Sequence, residues 1–405
     1  MRRFLRRYPR PFWTLLGGYF INRASAALIW PYLTLVMRAR LDAPLTTITT
    51  LISIQAIAGL LSASAIGAVM DRFGRKRPMV ISLALSSAVL LAMSAADTLW
   101  QWAVLIAFYG AVNPVFMVGS NAMVADLVPT DDRVKAYALL RVTANLGIAV
   151  GPAVGGFLMV IAYTLPYAVT AGTNLLLALL SLGLLVETLP DKPAAQTGQR
   201  MGYRALLADR RFLALCGSFL LVELAAAMVW VLLPVYAKEQ FAIREDAYGW
   251  LLTINAGMVV ALQFGVTRVT GRFMPLLMMA LGAFIYAIAL TAIGQASSFG
   301  GFALAMVILT TGELILVPTA TAWAANLAPV DMRARYMGIF SITYTVGSGI
   351  GPVMGGLLND YLAPAATWYG GALIAALSTL AFLMMARAYR ADPRPRLVEA
   401  APTSR

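Results

Sequence analysis

Twelve apolar stretches, each long enough to cross a bilayer, leave this chain few folds to choose from. Spanning about 30 Å of hydrocarbon takes roughly 20 helical residues. Segments near 12–37, 46–70, 78–96, 100–124, 134–161, 165–187, 212–236, 247–267, 274–294, 299–325, 334–358 and 365–387 meet that length, separated by short polar breaks. Sixty per cent of the 405 residues are hydrophobic and only 12% are charged, with a mean hydropathy of +0.77. Both values lie far from a water-soluble balance. The longest polar interval, "TLPDKPAAQTGQRMGYRALLADRR" at 188–211, reads as a linker between two groups of six. The expectation is an all-α polytopic membrane protein of 12 transmembrane helices in two pseudo-symmetric six-helix bundles, residues 1–187 and 212–405.

Charge placement sets the orientation, because Lys and Arg loops stay in the cytoplasm. The basic N-terminal tail, Arg72, Arg75, Lys76 and Arg77, then Arg133 and Lys135, fall on one side. Lys192, Arg200, Arg204, Arg210 and Arg211, Arg268 and Arg272, Arg333 and Arg335, and the basic C-terminal tail follow on the same side. The alternate breaks hold only Arg38, Arg40, Lys238 and Arg244. Both termini are therefore expected in the cytoplasm, with the chain multi-pass in the cell's inner membrane. The formal charge of +13 is then topology and attraction to anionic lipid, not nucleic-acid recognition. Ala24-Ser25-Ala26 resembles a signal cleavage site, but the apolar run continues through Trp30, Pro31 and Leu35 and makes a full span. A single cysteine, Cys216, excludes an intrachain disulfide and a multi-cysteine metal site. The absence of histidine removes the usual zinc ligand and proton shuttle, so proton chemistry falls to carboxylates.

The chain repeats itself. "GIAVGPAVGG" at 147–156 and "GSGIGPVMGG" at 347–356 share Gly-x-x-x-Gly-Pro-x-x-Gly-Gly, and an ungapped match of 125–158 on 325–358 keeps 12 of 34 residues. This is a parallel repeat of two homologous halves, as secondary transporters use. Gly147, Gly151 and Gly155, like Gly347, Gly351 and Gly355, recur every four residues and share one helix face open to a close neighbour. Pro152 and Pro352 each remove a helical hydrogen bond, and Gly156 and Gly356 complete the motif. The expectation is a packing seam in each half.

Between the second and third helices, Gly67-Ala-Val-Met-Asp71-Arg72-Phe-Gly74-Arg75-Lys76-Arg77 resembles the signature loop of the major facilitator superfamily. "TRVTGRFMP" at 267–275 resembles its eroded second copy, without the Asp. The fifth-helix glycine motif is similar to that of the 12-helix drug:proton antiporter branch. The resemblance implies a conformational latch of Asp71, Arg72 and Arg75 with Asp126, holding the outward-facing state. It also implies a central cavity lined by the first, fourth, seventh and tenth helices. The branch's fourth-helix Arg-x-x-Gln-Gly is absent: Ile106 and Tyr109 stand where the Arg and Gln belong, and only Gly110 survives.

Ionisable groups inside the spans are costly unless paired or hydrated, and so point to function. Arg23, Arg141, Glu223 and Glu313 are such groups. Glu313, near mid-span, is the first choice for proton coupling and Glu223 the second. Arg23 is a counter-ion to either or a site for an anionic substrate, while Arg141 lies close enough to its helix end to reach the cytoplasmic face. Asn22, Trp30, Asn113, Met117, Asn121 and Trp230 are candidate cavity residues; Met and aromatic walls suit apolar ligands.

The function expected is proton-coupled efflux of small amphipathic molecules by alternating access, with the proton gradient as driving force, no cofactor and no metal. The partners are the substrate and the lipid bilayer, and the chain acts as a monomer. The alternatives are a proton-coupled importer of a small nutrient such as a peptide or sugar, or a lipid flippase. No nucleophile and base pair, phosphate loop or metal set suggests an enzyme.

Overall fold

The computed structural model describes residues 8–189, 206, 208–329 and 332–391. Among the described residues it is all helix and turn. The first helix runs Arg10–Ile29, turns through Trp30–Tyr32 and resumes as Leu33–Leu41. The second to sixth are Leu45–Phe73, Lys76–Ser94, Leu99–Val112 with Pro114–Leu127, Thr130–Ile161 and Leu165–Leu184. The seventh to twelfth are Arg210–Phe241, Glu245–Thr270, Pro275–Gln295, Phe299–Leu327, Arg333–Tyr361 and Ala366–Ala391. Ten of these, all but the first and the eleventh, are long and apolar enough to cross a membrane. The first is interrupted at Pro31, and the eleventh is diluted by glycine, hydroxyls and terminal charges. Most of the 188–211 linker, including Lys192, Arg200 and Arg204, lies outside the described residues, as do most of the basic tails.

The fourth span, Leu99–Leu127, carries one interruption: Pro114 has no N–H to give the carbonyl of Gly110, so the hydrogen-bond ladder lapses at Asn113 while the backbone there stays right-handed helical. Four other prolines, Pro152, Pro234, Pro318 and Pro352, sit inside helices that continue through them.

Duplication is visible in the backbone. Asp42 and Ala242, 200 positions apart, are the non-glycine residues at positive φ, 43° and 53°, among the described residues. Each ends the first helix of its half in a left-handed cap.

The glycine motifs do the same job twice. The fifth helix lays Gly147, Gly151 and Gly155 against the first; a Cβ on Gly151 would stand 2.7 Å from the carbonyl oxygen of Ala24. The eleventh lays Gly347, Gly351 and Gly355 against the seventh, where a Cβ on Gly351 would lie 3.0 Å from Leu224 Cα. The last glycine of each motif faces the other half: Gly156 meets Tyr32 and Glu245, and Gly356 meets Thr46 and Thr49. Backbone cannot retreat from an added methyl as a side chain can. Gly155→Ala or Gly351→Ala should therefore cost about 1–3 kcal/mol of stability. Gly172, with nothing within 4 Å, should tolerate alanine or gain slightly from it. Thermal unfolding of the three variants in detergent checks the order.

The halves touch through the second helix on the eleventh and the fifth on the eighth. We name the end carrying Arg72–Arg77 the basic end and the other the far end. Near mid-length, a Cβ on Gly349 would meet Ala56 at 3.5 Å. Eleven residues nearer the basic end lie Gly67 and Gly338. Eleven residues are close to three helical turns, so this pair shares those faces about 16 Å further on. A Cβ on either would meet nothing within 4 Å. The halves are joined at the far end and splayed at the basic end.

Candidate functional site

Immediately on the basic side of the closure lies a cavity of about 560 Å³ with walls from both halves. That volume suits a drug-sized ligand. Arg23, Trp30, Gln55, Tyr109, Asn113 and Asn145 come from the N-terminal half, and Trp230, Asn255 and Glu313 from the C-terminal half.

Glu313 stands in the tenth helix, and Asn255 of the eighth donates Nδ2–H to its Oε2 at 2.8 Å. The same amide nitrogen lies 3.0 Å from Thr310 Oγ1, and Thr310 itself is fully buried. The carboxylate is thus oriented from one side by a neighbouring helix and faces the cavity with the other. Across from it, Asn113 donates to Tyr109 Oη at 2.9 Å. Arg23 projects from the first helix with its Nε buried and without a hydrogen-bond partner.

The remaining candidates separate. Trp30, Asn113 and Trp230 join Arg23 and Glu313 on the wall. Asn22, Met117 and Asn121 are not on it: Met117 packs into the apolar core of the N-terminal half, and Asn121 accepts a hydrogen bond on its backbone oxygen from Tyr137 at 3.1 Å. Met117 and Asn121 lie one and two turns nearer the basic end than Asn113, and Asn22, next to Arg23 in sequence, falls on a neighbouring face of the first helix. Glu223 also misses the wall. It is half-buried, its stem fills the space that Gly347 leaves, and it lies within electrostatic reach of Glu313. Arg141 lies within similar reach of Tyr344 in the other half. Asn255, Gln55 and Asn145 were missed by sequence reasoning, which sought cavity residues on the first, fourth, seventh and tenth helices, whereas these amides lie on the eighth, second and fifth; a polar residue inside "LLTINAGMVV" was the available signal.

At the basic end, Arg75 is the centre of the charge network. Its Nη1 donates to Asp71 at 2.8 Å and to the carbonyl of Met70 at 2.9 Å, and its Nε donates to Asp126 at 3.2 Å. Thr188 adds a hydroxyl to Asp126 at 3.0 Å. Arg72, placed in the latch on sequence grounds, is elsewhere: its guanidinium lies over the ring of Phe73, 5.3 Å from the centroid. Arg75 lies past the end of the second helix, beyond the turn at Gly74, and its side chain reaches back to Met70 and Asp71, whereas Arg72 is still within the helix. All these partners belong to the N-terminal half.

Glu187, unforeseen, completes the network. Its carboxylate accepts the backbone N–H groups of Arg75 and Lys76 at 2.7 and 3.1 Å, and those of Thr188 and Leu189. The loop can offer them because Gly74 takes φ = 89°, and a side chain there would collide with Glu187. Burial, the largest single influence, favours the neutral acid, but the four donors together outweigh it and hold the Glu187 pKa below its usual 4.5. A lowered carboxylate pKa stabilises above the ordinary value and is lost as pH falls through the lowered one. Amide exchange at Arg75 and Lys76 should accordingly show constant protection from about pH 8 to 5, and Glu187→Gln should speed it roughly tenfold at neutral pH. Hydrogen-exchange mass spectrometry of the 74–77 loop reads both.

The far end is closed by polar contacts between halves. Glu245 accepts the hydroxyl of Tyr163 at 2.6 Å and pairs with Lys238, which also bonds Tyr163. Arg38 pairs with Glu239 at 2.9 Å. Asp360, in the eleventh helix, accepts the N–H groups of Leu45 and Thr46 at 3.3 and 2.8 Å, with the Thr46 hydroxyl at 2.8 Å. A carboxylate from one half thereby caps a helix of the other.

Comparison with known proteins agrees with this geometry. The family model described as Major Facilitator Superfamily matches residues 15–222 and again 215–405. The chain is 26% identical over 390 residues to a "Na(+), Li(+), K(+)/H(+) antiporter" of Planococcus maritimus, covering 88% of this chain and 89% of that one. It is 27% identical over 301 residues to the "Multidrug resistance protein MdtH" of Cronobacter sakazakii, covering 73% of each. In fold it superposes on the nucleoside transporter NupG with a TM-score of 0.81 at 13% identity, over 93% of this chain and all of that one. With one family model matched to each half, and the two halves repeating the same glycine seam, the chain belongs to the major facilitator superfamily and is a membrane transporter.

Proposed function

We propose that this transporter expels small amphipathic molecules in exchange for protons, driven by the proton gradient and without a resident cofactor or metal. The observation that carries the reading is Glu313: a carboxylate held by Asn255 on the wall of a cavity that both halves share. Such a group can take up a proton on one side of the membrane and release it on the other as the cavity changes face. The names of two relatives, an antiporter and a multidrug resistance protein, support exchange and export. The basic end faces the cytoplasm of the inner membrane, following the placement of Lys and Arg. On that orientation the cavity stands open to the cell interior, ready to load cargo, and rocking of the two halves against each other delivers it outside. One chain lines the whole cavity, so a monomer suffices.

The test is proton movement in proteoliposomes carrying an internal pH dye, with the gradient imposed and amphipathic compounds added. Proton flux opposite to the compound is the expected result. Flux in the same direction would make the protein an importer, and compound movement without proton flux would remove the coupling altogether.

A further inference from the structure

The two walls of the cavity differ in charge. The C-terminal half offers Glu313, already oriented by Asn255. The N-terminal half offers the guanidinium of Arg23. Arg23 Nε is buried with no hydrogen-bond partner. Its polar company is the hydroxyls of Tyr19 and Tyr109, within electrostatic reach, and no carboxylate of the described residues pairs with it. A buried cationic N–H left unpaired is expensive.

The root of this side chain is fixed as well. A Cβ on Gly147 would lie 3.1 Å from Arg23 Cβ, so the seam between the first and fifth helices holds the base of Arg23 against the fifth helix. The glycine motif thus holds a cation at the cavity edge. Beside it stand two large aromatic surfaces, Trp30 and Trp230, one from each half.

We infer that the cargo is an amphipathic organic acid: its anionic group bonds Arg23, and its apolar body lies against Trp30 and Trp230. This rests on the transport reading above and names the class of substrate for that same site. A charge-assisted hydrogen bond to a carboxylate satisfies the free Nε–H and neutralises the guanidinium in one contact. The protein's own carboxylate on the cavity wall, Glu313, is held by Asn255 on the opposite side.

Three probes of one shape test this: 1-naphthaleneacetate, its neutral amide and 1-naphthylmethylammonium, each titrated calorimetrically into the purified full chain in detergent. The acid should bind at least about tenfold tighter than the amide, and the ammonium weakest. Arg23→Gln should bind acid and amide within about twofold of each other, while Arg23→Lys keeps part of the preference. An ammonium that binds as tightly as the acid overturns the proposal, and so does an acid preference that survives Arg23→Gln. Should Arg23→Gln fail to fold, the wild-type series and Arg23→Lys still decide. These titrations involve no gradient. Their failure removes only the acidic cargo, whereas failure of proton counterflow removes the exporter reading and leaves the Arg23 assignment standing.

Discussion

Replacing Glu313 by Gln should reduce gradient-driven transport to the level of protein-free vesicles while leaving the fold and ligand binding nearly intact. The amide matches the carboxylate in shape, and its carbonyl oxygen can still accept the Asn255 Nδ2–H that now lies 2.8 Å from Oε2. Packing against fully buried Thr310 is kept for the same reason. What disappears is the ability to gain and lose a proton, which no other described residue on the cavity wall can take over, because the wall's other polar groups are amides, a tyrosine and an arginine. Exchange of labelled for unlabelled compound, which needs no net proton movement, should persist within about threefold of wild type, the change a single altered hydrogen bond allows. Loss of exchange together with driven transport would instead mean that Glu313 is needed for binding or rocking. Glu223→Gln is the informative comparison. Its side chain lies off the wall, against Gly347, so it should retain driven transport at reduced rate. The reverse order of the two variants would move the coupling site to Glu223.

The helices were legible in the sequence because length and hydropathy decide them: every expected end falls within five residues of the observed one. The glycine spacing likewise anticipated a close approach of helices, since residues four apart must share a face. What the spacing could not reveal is the partner. Gly151 meets the first helix and Gly156 the other half, a distinction that depends on how the bundles are wound. The lapse in the hydrogen-bond ladder at Asn113 required attention to Pro114, which composition averages away. At the site, charged residues were found by their rarity in apolar spans. Which of them share a cavity depends on depth along the helix: Asn113 reaches the wall, whereas Met117 and Asn121, one and two turns nearer the basic end on much the same face, do not. Glu187 was hidden for another reason. It lies at the end of the sixth helix, more than 100 residues from the loop it binds, and its partners are backbone N–H groups that carry no sequence signature.

The far-end closure should be the element that sets the resting conformation, and Glu245 its most sensitive point. Glu245 is 8% exposed and takes Tyr163 from the N-terminal half and Lys238 from its own half, while Tyr32, bonded to the Pro152 carbonyl at 2.6 Å, lies 3.4 Å from its backbone oxygen. These groups must part before the far end can open. Glu245→Gln removes the negative charge that Lys238 faces. Asp360→Asn weakens the cap on the second helix, whose donors belong to the other half. Neither change touches a cavity residue. Because Lys238 is partly exposed, with 36% of its side chain accessible, water recovers some of the loss. The net shift should be about 2 kcal/mol for the pair of substitutions, well below the cost of breaking a fully buried ion pair. That corresponds to roughly a thirtyfold change in the ratio of far-end-closed to far-end-open molecules. Spin labels at Asp42→Cys and Tyr361→Cys, exposed on opposite halves at the far end, would report it as a new long-distance population, with buried Cys216 replaced by Ala to leave two labelling sites. An unchanged distance distribution in the double variant would transfer the work of closure to the apolar contacts around Ala56 and Gly349, and polar substitutions there would then be the ones to open the far end.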